Sequence, residues 1–461
     1  MLRTVNAQPT LWEAILPEEL LGLPAELQVV DRLLDDPRFF EPYRAYFHAT
    51  LGRPSVPIET YLRLMLFLKY RYRLGFEPLC REVSDSISWQ RFCRIPRGSR
   101  VPHPTTLMKI TSRCGEGAIA ELNDALIAKA AERRLIKMHK LRADTTVVEA
   151  NVAYPVDSSL LAKGITRIAK LTRQAKAAGL ATRTHLRDRS RRAQHRAREV
   201  VNTLRRRGEL ARDELRRLNA ELAQTATKTV READAIVRNA RRTLRSLDPA
   251  TSGRARAIVE RLAVLAERVE QVAAQTRQRV VDGITPDGAT RVVSLHDPDA
   301  RPIRKGRLGR PVEFGYKAQV VDNPDGIVLD WQLEKGNPPD APQLAPAIER
   351  IRRRTRKIPR AVTADRGYGE SRVERDLAQL GVTTVCIPRK GPPGAARRQL
   401  EASRPFQRMI RWRTGAEGRI SCLKRDFGCR RTHMDSLAGA RTWTGHGIFA
   451  HNLTKIAALT T

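Results

Sequence analysis

The chain has 461 residues, 41% of them hydrophobic, and its 85 Lys and Arg side chains against 50 Asp and Glu give a formal net charge of +35. This length predicts a folded protein of more than one domain, because a single core stops growing near roughly 250–300 residues. The charge favours a polyanionic partner, above all nucleic acid. A membrane partner is not expected, because no apolar run approaches the ~18–20 residues of a spanning helix. The first residues do not resemble a signal peptide, so we expect a cytoplasmic, nucleoid-associated protein.

The first third of the chain reads as helical. Residues 1–36 carry more acidic than basic side chains and are interpreted as an N-terminal arm. Residues 37–135 form a helical, candidate DNA-binding domain, in which "VPIETYLRLMLFLKYRYRLGF" places apolar side chains at helical spacing. "VPHPTTLMKITSRCG" predicts a short helix capped at Thr105 or Thr106 and ended by Gly115. A helix-turn-helix and a domain that serves only for packing are both compatible with this pattern.

A candidate strand and a basic insertion follow. "KLRADTTVVEANV", residues 140–152, is rich in β-branched residues and contains Asp144. Residues 161–280 then hold 30 Lys and Arg against 12 Asp and Glu, and no proline occurs from Leu160 through Leu247. Long helices are predicted there. Their arginines form either a surface that follows DNA phosphates or the solvated face of a helical hairpin.

The last third of the chain reads as a sheet with helices. "TRVVSLHD", "PVEFGYKAQVVDN" and "GIVLDWQLEKG" are separated by Pro, Asn, Asp and Gly turns and predict consecutive antiparallel strands. "APQLAPAIERIRRRTRKIP" predicts a helix, and "VTADRGYGE" predicts a strand that ends at Asp365. With the Asp144 strand, these elements predict an α/β fold whose mixed sheet is interrupted by the basic insertion after its first strand.

Two aspartates on separate strands of one sheet are suited to a divalent metal, because they present hard oxygen ligands on rigid elements. A third carboxylate is found in "RMIRWRTGAEGRISCLKRDFG", residues 408–428. On a helix, Arg413, Glu417 and Lys424 fall on one face. Two glycines, Gly415 and Gly418, weaken this helix and predict that another group approaches its backbone closely.

These motifs resemble the DDE transposases of bacterial insertion sequences. "ADTTVVEANVAYPVDSSLL" is similar to the first-aspartate block and "TADRGYGE" to the second. Arg413, Glu417 and Lys424 match the Arg, Glu and Lys of the family's Tyr-x2-Arg-x3-Glu-x6-Lys signature, whereas Ile410 stands where the signature has tyrosine. "GRPSVPIETYLRLMLFLKYRYRL" and "KGNPPDAPQL" extend the resemblance to residues ~40–160 and ~290–455.

The resemblance implies an RNase H-like mixed sheet flanked by helices, with a helical N-terminal domain and a long basic helical insertion after the first core strand. Residues 136–160 and 286–461 would form the two parts of this catalytic core, and residues 161–285 the insertion. Asp144, Asp365 and Glu417 would be both the catalytic residues and the ligands of two Mg²⁺ ions, with Mn²⁺ as a substitute. Arg413 and Lys424 would bind DNA phosphate near the scissile bond.

The implied activity is metal-dependent cleavage at the ends of an insertion sequence, followed by strand transfer into target DNA. The partners would be the double-stranded terminal inverted repeats and the target, bound by a homodimer. No nucleotide cofactor is expected, because "KGRLGRP" lacks the P-loop pattern. Two alternatives remain: a non-catalytic DNA-binding protein derived from a transposase, and an RNase H-like nuclease without strand transfer.

Overall fold

The structure, a computed structural model, describes residues 1–4, 22–96, 98–152, 156–206, 208–307 and 310–460. Its contacts group the chain into two compact units. The first unit comprises residues 1–150, 316–334 and 338–461, and the second comprises residues 151–315 and 335–337. Residues 5–21 of the predicted arm, and residues 308–309 of "KGRLGRP", lie outside the described residues. The domain boundaries drawn from the sequence stay predictions.

The first unit begins with helices, as predicted. A 3₁₀ turn at Pro37–Phe39 and a π-helical stretch at Leu62–Leu68 lie among them. In chain order they are α1 (Ala25–Leu34), α2 (Glu41–Arg44), α3 (Ile58–Tyr61), α4 (Lys69–Arg71), α5 (Phe76–Asp85), α6 (Ile87–Phe92) and α7 (Pro104–Glu132). The backbone is helical from Ile58 to Arg71, and every side chain from Ile58 to Tyr70 is buried. This segment is therefore enclosed on all sides instead of presenting one apolar stripe.

Helix α7 corrects the prediction made for "VPHPTTLMKITSRCG". Its N-cap is His103, whose side chain accepts a hydrogen bond from the Thr105 backbone N–H, so neither Thr105 nor Thr106 caps it. The helix is interrupted at Gly115, where φ is 57° and ψ is −154°, but resumes and continues to Glu132. Burial of Ile119, Leu122 and Leu126 explains the continuation, because an apolar face beyond the glycine packs into the core.

The second unit follows strand β1 (Lys140–Glu149) and is mainly helical, as predicted for the insertion. Its helices are α8 (Asp157–Ala177), α9 (Ser190–Thr203), α10 (Glu209–Arg245) and α11 (Pro249–Thr276). They share a core of their own that includes Leu161, Ile165, Leu222, Ile236 and Val269. Gly164 allows helices α8 and α11 to approach, because a Cβ at this position would collide with Val269.

The strand predicted for "TRVVSLHD", residues 290–297, is absent from the structure. Val292 and Leu295 pack into the helical core of the second unit. The Gln275 side chain satisfies both backbone polar groups of Val292, donating to its carbonyl and accepting from its N–H. The Gln275 side chain thus makes the backbone hydrogen bonds that a neighbouring strand would otherwise make. The β-branched composition of the segment alone could not reveal this replacement. Strand β2 (Arg301–Arg307) follows and pairs antiparallel with the beginning of β3 (Arg310–Asp322).

The remaining strands are β4 (Val328–Lys335), β5 (Ala361–Thr363) and β6 (Thr384–Cys386). Strand β1 lies between β3 and β5, β4 pairs antiparallel with β3, and β5 pairs parallel with both β1 and β6. A mixed sheet formed from distant parts of the chain confirms the predicted α/β class.

Helices complete the first unit. A 3₁₀ turn at Arg366–Tyr368 follows β5. The helices are α12 (Ala341–Thr355), α13 (Ser371–Gln379), α14 (Ala395–Ala402), α15 (Arg404–Arg413), α16 (Gly415–Asp426) and α17 (Ser436–Ala457). Helix α12 buries Leu344, Ile348 and Ile351, as its sequence predicted. In the part of the chain described, no helix is long and apolar enough to cross a membrane.

Lys69, at the start of α4, is buried without a carboxylate partner among the described residues. It is 4% exposed, and its ammonium lies 4.7 Å, 4.8 Å and 4.3 Å from the ring centroids of Tyr70, Phe76 and Trp443. Burial lowers the pKa of Lys69 to about 8. The neighbouring His446 has a pKa lowered to about 3 by burial, so it stays neutral above that range.

We expect Lys69 to add stability to the folded protein, measured against Lys69→Met, as the pH rises from about 8 to about 10.5, because the unfolded lysine keeps a proton that the folded one has released. Buried cysteines such as Cys93, Cys114 and Cys429, whose pKa is raised by burial, lower the stability of both proteins over the same pH range. The Lys69 contribution to the free energy of unfolding is at most about 3 kcal/mol. Attraction between the ammonium and the faces of the aromatic rings favours the protonated form and makes the contribution smaller. The measurement is urea denaturation followed by tryptophan fluorescence, which reports the first unit because the four tryptophans among the described residues, Trp89, Trp331, Trp412 and Trp443, belong to it.

Lys69→Met should remove this alkaline gain. Lys129→Met is the matched control, because Lys129 is also buried but is paired with Asp36 at 3.0 Å. That variant should be less stable at neutral pH and should keep the alkaline gain. An equal pH dependence of stability in the parent and in Lys69→Met between about pH 8 and about pH 10.5 would contradict the assignment.

Candidate active site

One face of strand β1 carries the first predicted site residue. Residues alternate along a strand, so Arg142, Asp144, Thr146 and Val148 share this face. The Asp144 carboxylate accepts a hydrogen bond from the Thr145 backbone N–H at 2.8 Å. Its other oxygen lies 3.7 Å from the Arg413 guanidinium, and the side chain is 15% exposed. Asp144 is thus held at a rigid position with access to solvent.

Asp365 follows the strand that pairs with β1. The parallel register pairs Lys140 with Ala361 and Arg142 with Thr363, where β5 ends. Asp144 and Asp365 each come two residues after this last pair, and neighbouring strands lie about 4.8 Å apart. Asp365 caps the following 3₁₀ turn by accepting a hydrogen bond from the Gly367 N–H at 2.8 Å. Asp144 thus lies inside a core strand and Asp365 directly after one, as the sequence predicted for each.

A further carboxylate, Asp340, borders the Asp365 turn. A Cβ at Gly367 would lie 2.9 Å from Asp365 Oδ1 and 3.1 Å from Asp340 Oδ2, so glycine keeps the space between these carboxylates open. Lys317 of β3 forms an ion pair with Asp340 at 2.7 Å. Asp340 lies within "KGNPPDAPQL", where the sequence analysis assigned it no role.

Tyr368 lies beneath these carboxylates. It is fully buried and accepts a hydrogen bond from Gln319 at 3.0 Å, so it is a structural residue of the turn. Burial raises the pKa of its hydroxyl well above the usual value, and the charges of Asp340, Asp365 and Asp144 raise it further. Three carboxylates are therefore close enough to this one hydroxyl to act on it electrostatically.

The helix predicted to carry Arg413, Glu417 and Lys424 is divided. Arg413 ends α15, Thr414 interrupts the helix, and Glu417 and Lys424 lie on α16. Ile420 and Lys424 border a cavity of about 20 Å³ together with Thr146 and Val148, so this side of α16 faces β1. Glu417 lies on the same side, one turn before Ile420, and its side chain is exposed. Glu417 and Lys424, seven positions apart on α16, share a helix face as predicted, whereas Arg413, predicted for the same face, lies on the preceding helix.

A buried ion pair fixes these helices against the sheet. Arg142 donates two hydrogen bonds of 2.8 Å to the carboxylate of Asp322 on β3, and their residues are 7% and 2% exposed. Arg142 also donates to the Trp412 carbonyl at 2.9 Å and lies 4.8 Å from the Trp412 ring centroid. Arg419 of α16 approaches Asp322 to 3.3 Å. The Arg142–Asp322 pair thus joins strands β1 and β3 and contacts helices α15 and α16.

The glycines of α16 differ in role. A Cβ at Gly415 would collide with the Arg142 guanidinium, which is the close approach that the sequence analysis expected. A Cβ at Gly418 would meet no other atom within 4 Å, so the same expectation was wrong there. The glycine at 415 therefore allows α16 to lie directly on the buried ion pair.

The comparisons with known proteins agree with this architecture. A family model described as a transposase domain (DUF772) matches residues 15–113, and one described as a transposase DDE domain matches residues 289–453. Together they span more than half of the chain. The chain is a DDE transposase. No curated protein and no solved structure matches it.

The mixed α/β sheet and helical N-terminal region are consistent with the RNase H-like fold of such transposases. The family acts on DNA and generally uses divalent metal ions. Carboxylate oxygens of the kind that Asp144 and Asp365 present are suitable ligands for such ions, and the open space at Gly367 lies beside one of them. Among the residues described, however, no three His, Cys, Asp or Glu side chains are grouped closely enough to hold a metal ion.

The sequence did not reveal the residues that stabilise or border the transposase site without being predicted members of it. Arg142 and Asp322 are 180 positions apart, and nothing local marks them as partners. The available signals were two charged residues inside apolar strands, since a buried charge requires a partner. Asp340 could have been found only through its position in the "KGNPPDAPQL" block.

We expect Asp322→Asn to destabilise the transposase by about 3 kcal/mol, because it leaves the buried Arg142 guanidinium without its counter-charge. Urea denaturation followed by tryptophan fluorescence measures the change. Arg142→Met combined with Asp322→Leu should cost less than the sum of the two single changes, because neither charge is then left alone.

The matched control for this pair is Glu149→Gln, which breaks the ion pair of Glu149 with Arg431 at 2.8 Å. Arg431 is 47% exposed, and an exposed pair contributes about 0–1 kcal/mol. Equal losses in Asp322→Asn and Glu149→Gln would show that the Arg142–Asp322 pair does not hold the fold together.

Proposed function

We propose that Asp144, Asp365 and Glu417 are the catalytic carboxylates and that they hold two Mg²⁺ ions, for which Mn²⁺ can substitute. The observation that supports this proposal is the parallel register of β1 and β5, whose last pair, Arg142 with Thr363, lies two residues before each of the two aspartates. When bound, two such ions would activate a water or a DNA 3′-hydroxyl and stabilise the leaving oxygen of a phosphodiester.

Glu417 would complete the set from the helix side. Its helix lies on the face of β1 that carries Asp144, and the Arg142–Asp322 pair fixes that helix at its first turn. Because its side chain is exposed, it can change rotamer without breaking a packed contact. A rotation toward Asp144 would bring the third carboxylate to the other two.

Arg413 and Lys424 would bind the DNA backbone at the scissile phosphate. The Arg413 guanidinium already lies 3.7 Å from the Asp144 carboxylate, so a phosphate bound to it would be adjacent to the first catalytic aspartate. Its planar fork suits bidentate phosphate contact, whereas Lys424 supplies a point charge. Ile410 offers no hydroxyl at the signature's tyrosine position, and therefore no hydrogen bond to DNA is proposed from it.

The proposed reaction is cleavage at the terminal inverted repeats of an insertion sequence and joining of the freed 3′-ends to target DNA. Two ends have to be processed, which favours a homodimer on DNA. Light scattering with and without end DNA measures this stoichiometry, and a single chain on paired ends would contradict it.

We expect Asp144→Asn, Asp365→Asn and Glu417→Gln each to lower Mg²⁺-dependent cleavage of end DNA by at least about a hundredfold, because each removes a ligand charge from the reaction centre. DNA affinity should change little. The measurement is strand nicking on labelled inverted-repeat duplexes, with binding followed separately in chelator.

Asp426→Asn is the matched control for Glu417, because Asp426 lies on the same helix and its carboxylate pairs with the adjacent Arg425. That variant should cleave normally. Unchanged cleavage by any of the three site variants would refute its assignment. Hydrolysis without strand transfer to a target would favour a nuclease, and metal-independent binding without nicking would favour a non-catalytic DNA-binding protein.

Arg413→Gln should lower cleavage by about tenfold or more, because a charged hydrogen bond to the phosphate is lost. Arg411→Gln is its control, since Arg411 is an exposed arginine of the same helix. The difference in cleavage between Arg413→Gln and Arg411→Gln should appear at saturating DNA. If both variants lose activity equally and recover it at low salt, their effect is general charge attraction and not phosphate positioning.

A further inference from the structure

The second unit contains a cavity of about 570 Å³ lined by helices α8 and α9 and the segment 293–296. This volume lies in the range of small-ligand sites. Its lining is mixed: seven of the sixteen residues are apolar, among them Leu160, Ala197 and Leu295, and three are basic, namely Lys163, Arg167 and Arg198. The side chains of these three basic residues are exposed to solvent.

The charges around this cavity are of one sign. Sixteen described residues line it, and none is Asp or Glu. Lys163 and Arg198 form no ion pair with any described carboxylate, whereas the nearby Arg173, Arg189 and Arg196 are paired with Asp188, Glu232 and Glu199. A lining that combines apolar, neutral polar and basic side chains and contains no acidic one suits a ligand that has a flat, partly apolar body, hydrogen-bonding groups and a negative charge.

We propose that this cavity receives a single unpaired nucleotide of the DNA on which the transposase acts. The base would lie against the apolar lining residues, and the phosphates of the nucleotide would contact Lys163 and Arg198. A cavity of this size takes one nucleotide and excludes a duplex, so the nucleotide has to leave the base stack. The polar groups of Thr166 and Gln194 at the wall would be available to the base edge.

This proposal rests on DNA as the partner, but it does not depend on the three carboxylates. Its test is therefore a binding experiment in chelator, where cleavage cannot contribute. Fluorescence anisotropy compares the full-length protein bound to a duplex with one unpaired nucleotide and to the same duplex fully paired. We expect about tenfold tighter binding of the first, since a base stacked in a protein site contributes about 1–3 kcal/mol.

Two double variants distinguish binding in this cavity from general electrostatic attraction to DNA. Lys163→Gln combined with Arg198→Gln should abolish the preference for the unpaired nucleotide. Its control is Arg191→Gln combined with Arg192→Gln, which removes two exposed charges of α9 that do not line the cavity. The control should weaken binding to both duplexes equally and keep the preference.

Ala197→Leu tests the apolar part of the lining without changing charge. It should also abolish the preference, and thermal denaturation should show that the protein remains folded. A parent protein with equal affinity for both duplexes would overturn the proposal, as would equal loss of preference in the charge-control variant. Saturable binding of free dAMP with no preference between the duplexes would identify a mononucleotide site instead and would also overturn the DNA assignment.

Discussion

The buried ion pair between Arg142 and Asp322 is the interaction on which the catalytic side of the protein depends. Two hydrogen bonds of 2.8 Å in a nearly solvent-free position fix β1 against β3. The remaining guanidinium nitrogen and the ring stacking hold Trp412, and hence the helix that ends at Arg413. A buried pair of this kind contributes less to net stability than to geometry, because desolvation offsets much of its attraction. In this protein it fixes where α16 can lie.

The sheet and the insertion each bury apolar side chains in a separate hydrophobic core. The insertion buries its apolar side chains in a core formed by its own helices, so it does not require the sheet for its hydrophobic stabilisation. Its surplus of positive charge can therefore remain on its own surface. Pairs such as Arg189 with Glu232 neutralise part of that charge, and Lys163 and Arg198, which have no such partner among the described carboxylates, lie around one cavity.

Local sequence was sufficient where local chemistry decides the structure. The β-branched runs around Asp144 and before Asp365 predicted strands correctly, and the shared helix face of Glu417 and Lys424 followed from periodicity alone. Local sequence failed where a distant group replaced the expected interaction. Gln275 bonds the backbone of Val292, and His103 caps a helix that the threonines were expected to cap. The partners of Arg142 could not be inferred, because its counter-charge lies on a strand that follows the whole insertion.

The enclosure of the helical segment from Ile58 to Tyr70 has a consequence for how this protein can be divided. Tyr70 packs against Trp443 with ring centroids 5.1 Å apart, and Phe39 packs against Phe449 at 6.0 Å, so the amino-terminal helices share their interior with the carboxy-terminal helix α17. Cleavage of the chain between the two matched transposase regions would expose a large apolar surface on each fragment. Both matched regions therefore contribute to one hydrophobic core of the first unit, and an exchange of only one region between relatives would have to preserve the contacts in that core.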